Sequence, residues 1–211
     1  MKKYDPEKMV KISRYQNFFP TLNKDIQSDI YARMKELIKE ESAYCDKGNY
    51  EHMAQILTSI AMYEVLIKHG KREDEAYKTV SEEMWKFLDP TGMQKLSKKG
   101  FFMPLMKKVV PFGFKHKSGT GWRYTWHNDT DSKDEFHFEC NECIYEKILK
   151  PRNLMKLGSM CCHADIINYG NLHYTDFIRT KTLCQGGDYC DFLFVRHDTD
   201  AGEGWERTKS V

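Results

Sequence analysis

No stretch of this sequence is apolar enough to cross a bilayer. The longest runs, 144–149 and 56–62, are interrupted by polar groups and fall far short of the ~20 residues a span requires, so no membrane partner is expected. Export is not expected either, because MKKYDPEKMV reaches Asp5, Pro6 and Glu7 before any apolar core forms. Charge of one sign is not in excess: 33 basic against 31 acidic residues leave a formal +2, which points to no nucleic acid. The lysine pairs at 98–99 and 107–108 read as a solvated face rather than a phosphate-binding patch. Neither a dinucleotide-type glycine fingerprint nor a P-loop occurs, and no internal repeat is visible. Strand–helix alternation of the kind that builds a doubly wound sheet is absent too.

What the sequence does have is cysteine, concentrated in one region. Six of its seven cysteines fall between Cys140 and Cys190. The odd count, the adjacent Cys161 and Cys162 and the lack of a short disulfide-rich scaffold imply free thiols in a reducing compartment, and a cytoplasmic protein is expected. A chain of 211 residues, 40% hydrophobic and 30% charged, can bury an ordinary globular core. A single domain is expected, with a mainly helical part over 1–118, an α+β part over 119–198 carrying the cysteines, and a frayed tail over 199–211.

The apolar period locates the elements. Leu22, Ile26, Ile30, Met34, Leu37, Ile38 and Cys45 recur at three and four residues, which predicts a helix ending at Gly48-Asn49. A second helix runs from Tyr50 to His69-Gly70 with an apolar face so wide that it is either central to the fold or available to a second copy, leaving a homo-oligomer open. A third covers 73–88. Residues 91–118, with Pro104, Pro111 and several glycines, read as short helical pieces joined by loops. The period then drops to two at Trp122, Tyr124 and Trp126, and again at Phe136, Phe138 and Cys140, predicting a hairpin around NDTDSKD with His137 on its solvated face. Helices return at 141–150 and 153–168, and a second hairpin has strands near 174–183 and 189–196 around QGGD. The predicted class is α+β, with N-terminal helices packed on a small antiparallel sheet of two hairpins with intervening helices.

Chemistry concentrates on few residues. On the helix around 159–168, Asp165 follows Cys162 by three positions and Cys161 by four, so a thiol shares a face with a carboxylate, and His163 or Arg179 could lower its pKa. Cys140 and Cys143 form a CxxC, which serves as a redox pair or as half a zinc site completed by Cys161, Cys162 or His163. Arg179, beside Thr180 and Thr182, is either a clamp for a substrate carboxylate or a surface arginine on an edge strand. Cys190 and Asp191 are neighbours on a strand and cannot both face one site without a bulge, so one of them packs. The aromatic trio reads as core first and ligand wall second.

Taken together, ECIYEKIL, CCHAD and FIRTKTLCQGGDYCDFLF resemble the L-2-amino-thiazoline-4-carboxylic acid hydrolase family. The parts that carry the resemblance are a cysteine opening a helix (Cys143), a Cys-x-x-Asp (Cys162, Asp165), Arg-Thr-x-Thr-Leu from Arg179, and a closing Gly-x-x-Cys-Asp-Phe from Gly187. The resemblance implies hydrolysis of a carbon–nitrogen bond other than a peptide bond, opening a small cyclic amidine that bears a carboxylate. In that reading Cys162 is the nucleophile, Asp165 or His163 the proton donor, and Cys143 a further catalytic candidate. Arg179, Thr182, Cys190 and Asp191 would contact the substrate, a small molecule, with no cofactor unless zinc is held by cysteines and His163. The closing hairpin is also similar to small ligand-binding domains of the vinyl-reductase and haem–nitric-oxide type, which sense or carry a ligand. Cys140, Cys161 and Cys184 depart from the hydrolase pattern.

Overall fold

The computed structural model describes residues 4–200 and 208–210. Asp5 and Pro6 start the first helix: the Asp5 carboxylate accepts from the Lys8 N–H at 3.1 Å, and Pro6, with no N–H to satisfy, stands at the first position of α1 (Pro6–Ile12). Asn23 caps α2 (Lys24–Glu40), accepting from the Ile26 N–H, and Ile30, Met34 and Leu37 turn inward. The next helix, α3 (Tyr50–Lys68), is buried on nearly every side from Met53 to Leu66 and stops at His69 and Gly70, the latter at φ +94°. Ala76, Val80 and Met84 form the buried stripe of α4 (Glu73–Lys86).

Packing within this unit explains the breadth of the α3 apolar surface. Each large aliphatic side chain removed from water contributes roughly 1.5–3 kcal/mol, and α1, α2 and α4 all pack on α3, so the face that might have served a second copy is used up inside the unit. The unit comprises Met1–Leu88 together with Lys117–Thr120. Asn49 secures that returning segment: its Nδ2 donates to Thr120 O at 2.8 Å and its Oδ1 accepts from the Gly119 N–H. Asp46 accepts from the Thr120 N–H at 2.7 Å.

The second unit, Asp89–His116 with Gly121–Val211, carries the sheet. It opens with α5 (Thr91–Ser97) and α6 (Phe102–Lys117), and α6 corrects the expectation of short pieces. Pro111 removes one helical hydrogen bond, but Phe102, Met103 and Met106 are buried against the sheet, and Val110 and Phe114 pack beside them, so the helix continues through it. After it come β1 (Arg123–Trp126), β2 (Glu135–Glu142), α7 (Ile144–Leu149), α8 (Met155–Tyr169), β3 (Thr175–Arg179), β4 (Cys190–Arg196) and β5 (Thr208–Ser210).

The strand order is β1-β2-β4-β3-β5; the first four are antiparallel, and β5 lies parallel beside β3. Both expected hairpins are present, and β2–β4 pairing joins them into one sheet. The chain is an α+β fold. Period-two alternation places Phe136, Phe138 and Cys140 of β2 on the face covered by α5, α6 and α8, and His137, Glu139 and Asn141 on the other. Strand β3 ends earlier than expected, at Arg179, and 180–189 form a connection with a 3₁₀ turn at Leu183–Gln185 closed by Gly186 at φ +89°. Of the expected frayed tail, 201–207 and 211 lie outside the described residues, whereas Thr208–Ser210 form a strand.

Candidate active site around a chain of thiols

Strand register starts the site. Cys140 on β2 stands directly opposite Cys190 on β4, and both are buried on the α-helical side of the sheet. Two residues beyond β2 the chain turns into α7 with Cys143 at its N-cap, where backbone N–H groups lack helical partners. The 3₁₀ turn after Thr182 brings in Cys184, and the α8 backbone comes close enough that a Cβ at Gly158 would lie 2.5 Å from the Cys184 sulfur. Only glycine allows that approach. The thiols of Cys190, Cys140, Cys143, Cys184 and Cys162 then neighbour and influence one another in that order.

Interactions along this chain shift its thiols in opposite directions. Cys143 is held well below the ordinary thiol value of 9.0 by the neighbouring Cys140 and Cys184 first, and by the backbone at Glu146 and Tyr145, which together outweigh its burial. Cys140 and Cys184 are pushed up, first by the neighbouring Cys143, then by Cys190 and Cys162 respectively, and by burial. The Cys140 thiol donates to Glu142 O, 3.2 Å away. Cys190 accepts from the Leu183 N–H at 3.2 Å. Trp122, Tyr124, Tyr145, Leu183 and Phe192 pack around Cys140, Cys143 and Cys190 as half-buried walls. Among the described residues no three of these thiols bring their sulfurs mutually within 4.8 Å, so the set is a line rather than a tetrahedron. The seventh cysteine, Cys45, lies in the helical unit with its thiol pushed up to about 11 by burial, then by Glu41 and Asp46.

The other predicted residues fall into two groups. Arg179 is neither on an edge strand nor at the surface: it is 1% exposed on β3, its Nη1 is 2.9 Å from Asp165 Oδ2, and its Nη2 donates to Cys162 O at 3.1 Å. The guanidinium lies 5.5 Å and 5.6 Å from the Phe177 and Phe192 ring centres. Cys162 and Asp165 are therefore brought together, through Arg179, whereas His163, one residue round the helix, is exposed. Thr182 is fully buried and its hydroxyl donates to Gln185 Oε1 at 2.8 Å.

Cys190 and Asp191 do face opposite sides of β4. Asp191 accepts from the Thr180 N–H, the Thr180 hydroxyl at 2.6 Å and the Lys181 N–H, bracing the β3–β4 connection. Burial would raise its pKa, but these bonds outweigh that and hold it below the usual carboxylate value. Sequence reasoning considers Cys140 only as half of a CxxC and gives Cys184 no role. Cys140 alternates with Phe136 and Phe138, which already places it on the core face; the position of Cys184 had no local signal.

No curated protein and no solved structure matches the chain. A family model does, over residues 49–194, a span that includes every cysteine of the thiol chain together with Asp165 and Arg179. With most of its length matched, the protein belongs to the L-2-amino-thiazoline-4-carboxylic acid hydrolase family.

Proposed function

We propose that the protein is a hydrolase that opens a small cyclic amidine bearing a carboxylate, breaking a carbon–nitrogen bond other than a peptide bond, with Cys143 as its nucleophile. The family supports the hydrolase reading. What supports the choice of nucleophile is the place of Cys143 at the α7 N-cap, between Cys140 and Cys184, where its thiol is held well below the ordinary value. A thiolate, not a thiol, attacks carbon, and this is the sulfur the surroundings favour as an anion.

In this mechanism the Cys143 thiolate adds to the ring carbon between sulfur and nitrogen of the protonated amidine, whose ring nitrogen already carries one proton. Once its charge is consumed, Cys143 no longer holds Cys140 and Cys184 protonated, and one of these thiols passes its proton to the departing ring nitrogen. The carbon–nitrogen bond breaks and the fragment stays on Cys143. Water then adds to that carbon, its proton returns to the thiol that gave one up, and Cys143 leaves as the thiolate its neighbours stabilise. The half-buried Trp122, Tyr145, Leu183 and Phe192 limit competing water. Arg179 acts as a positioning residue, holding Cys162 and Asp165 against the sheet, rather than as a direct carboxylate clamp.

A second reading makes Cys162 the nucleophile. It is favoured by the greater exposure of Cys162. Incubation with L-2-amino-thiazoline-4-carboxylate tests both readings by following the gain of one water in the product mass. The proposal expects turnover by the wild type and by Cys162→Ser but none by Cys143→Ser. Loss confined to Cys162→Ser would select the second reading, and an inert wild type would overturn the activity itself.

A further inference from the structure

On the face of the sheet turned away from the thiols, three metal-ligating side chains meet. His137 and Glu139 project from β2 to that side, and His127 follows β1 at the point where its N–H donates to His137 O at 3.1 Å, so the ladder places the two histidines opposite each other. His137 was expected on the solvated face of its strand, but it is half-buried, its ring stacked on His127 at 4.2 Å and 10°. One ligand atom from each of His127, His137 and Glu139 lies within 4.8 Å of the other two. His127 Nε2 is buried without a hydrogen-bond partner among the described residues, 3.4 Å from Glu139 Oε1. A buried, unpartnered imidazole nitrogen costs free energy unless something accepts or coordinates it.

We propose that His127, His137 and Glu139 form a binding site for a divalent first-row transition ion, zinc by ligand type. Two imidazoles and one carboxylate are a common protein set for such ions. Ligands about 2.0–2.2 Å from zinc stand about 3.3 Å apart in a tetrahedron. The His127–Glu139 edge already has this length. The rings, now nearly parallel, close on the ion by one imidazole swinging towards the other.

The surroundings orient the carboxylate and fix the turn. Asn141 Nδ2 holds Glu139 Oε2 at 3.2 Å, leaving Oε1 towards His127, and Thr125 in turn donates to Asn141 Oδ1 at 2.8 Å. The Asp131 carboxylate accepts from the His137 N–H at 2.7 Å, and the Thr130 and Asp131 N–H groups both donate to His127 O. Three protein ligands leave a fourth position for water or an anion. The site goes beyond the thiol chemistry, with which it shares no residue, and stands whether or not Cys143 is the nucleophile.

The test is titration of chelator-stripped protein with zinc, followed by calorimetry, and with cobalt(II), followed by visible absorption. The expected result is one equivalent bound, a cobalt spectrum without thiolate charge-transfer bands, and affinity lowered by about 10–100-fold or more in His127→Gln and Glu139→Gln variants with unchanged circular dichroism. Should either variant fail to fold, Asn141→Ala, which removes no ligand atom but only the hydrogen bonds to Glu139 Oε2 and from Thr125, is expected to weaken binding by about tenfold. Absence of binding, or binding that shows thiolate bands and survives these substitutions, overturns the proposal.

Discussion

Arg179 Nη1 lies 2.9 Å from Asp165 Oδ2, joining the last residue of β3 to the middle of α8 beneath the thiol chain. The guanidinium is 1% exposed and the carboxylate 32%, so the arginine is the partner that bears the desolvation. With its other donor on Cys162 O, it sets the distance between helix and sheet.

Replacing Arg179 with Met is expected to destabilise the protein by about 2–3 kcal/mol, less than the ~3–5 for a fully buried pair because Asp165 keeps some water. Adding Asp165→Leu recovers part of that loss, with a coupling of about 1–3 kcal/mol in the double-mutant cycle. Urea unfolding of the four proteins measures it. Strictly additive losses would show that the pair does not hold α8.

Gly158→Ala places a methyl group 2.5 Å from the Cys184 sulfur. Alanine gains about 1 kcal/mol of helix propensity, against which overpacking costs about 1–3 kcal/mol, so the net effect is destabilising. Displacing Cys184 also removes a neighbour that holds the Cys143 thiol low. Thermal unfolding with a thiol-reactivity profile measures both effects, and an unchanged profile would mean that Cys184 does not govern Cys143.

Stability should follow pH through these thiols in opposite directions. Cys143 is depressed in the fold, so between its folded value and the ordinary 9.0 the unfolded chain holds a proton the native one does not. Its contribution is therefore full above 9.0 and is lost as pH falls through the folded value. Cys140 and Cys184 are raised, so their contribution is complete below 9.0 and declines as pH rises above it. Unfolding free energies across this range should show a flatter rise for Cys143→Ser and a flatter fall for Cys184→Ser. Wild type and variants with parallel curves would contradict the assignment.

The elements that depend on local period were legible in the sequence; those that depend on distant partners were not. Ile30, Met34 and Leu37 announce α2, and Trp122, Tyr124 and Trp126 announce β1, because burial on one face imposes spacing. α1 has its signal in Asp5-Pro6, a cap followed by a proline at the first position. Pro111 and its flanking glycine misled the reading of α6, since only packing on the sheet shows why the helix survives. That the cysteines gather was visible. Which thiol is held low was not, because it depends on β2–β4 register and on Gly158 admitting Cys184. His127 escaped notice because its partners, His137 and Glu139, lie across a turn.

The central claim is that Cys143 carries the substrate fragment during turnover. Acid quenching of the wild type with L-2-amino-thiazoline-4-carboxylate, followed by peptide mapping, tests this most directly. The account predicts a substrate-derived mass on the peptide containing Cys143, absent from Cys143→Ser and retained in Cys162→Ser. A fragment on Cys162 instead, or undiminished turnover by Cys143→Ser with no fragment on any thiol, would contradict it.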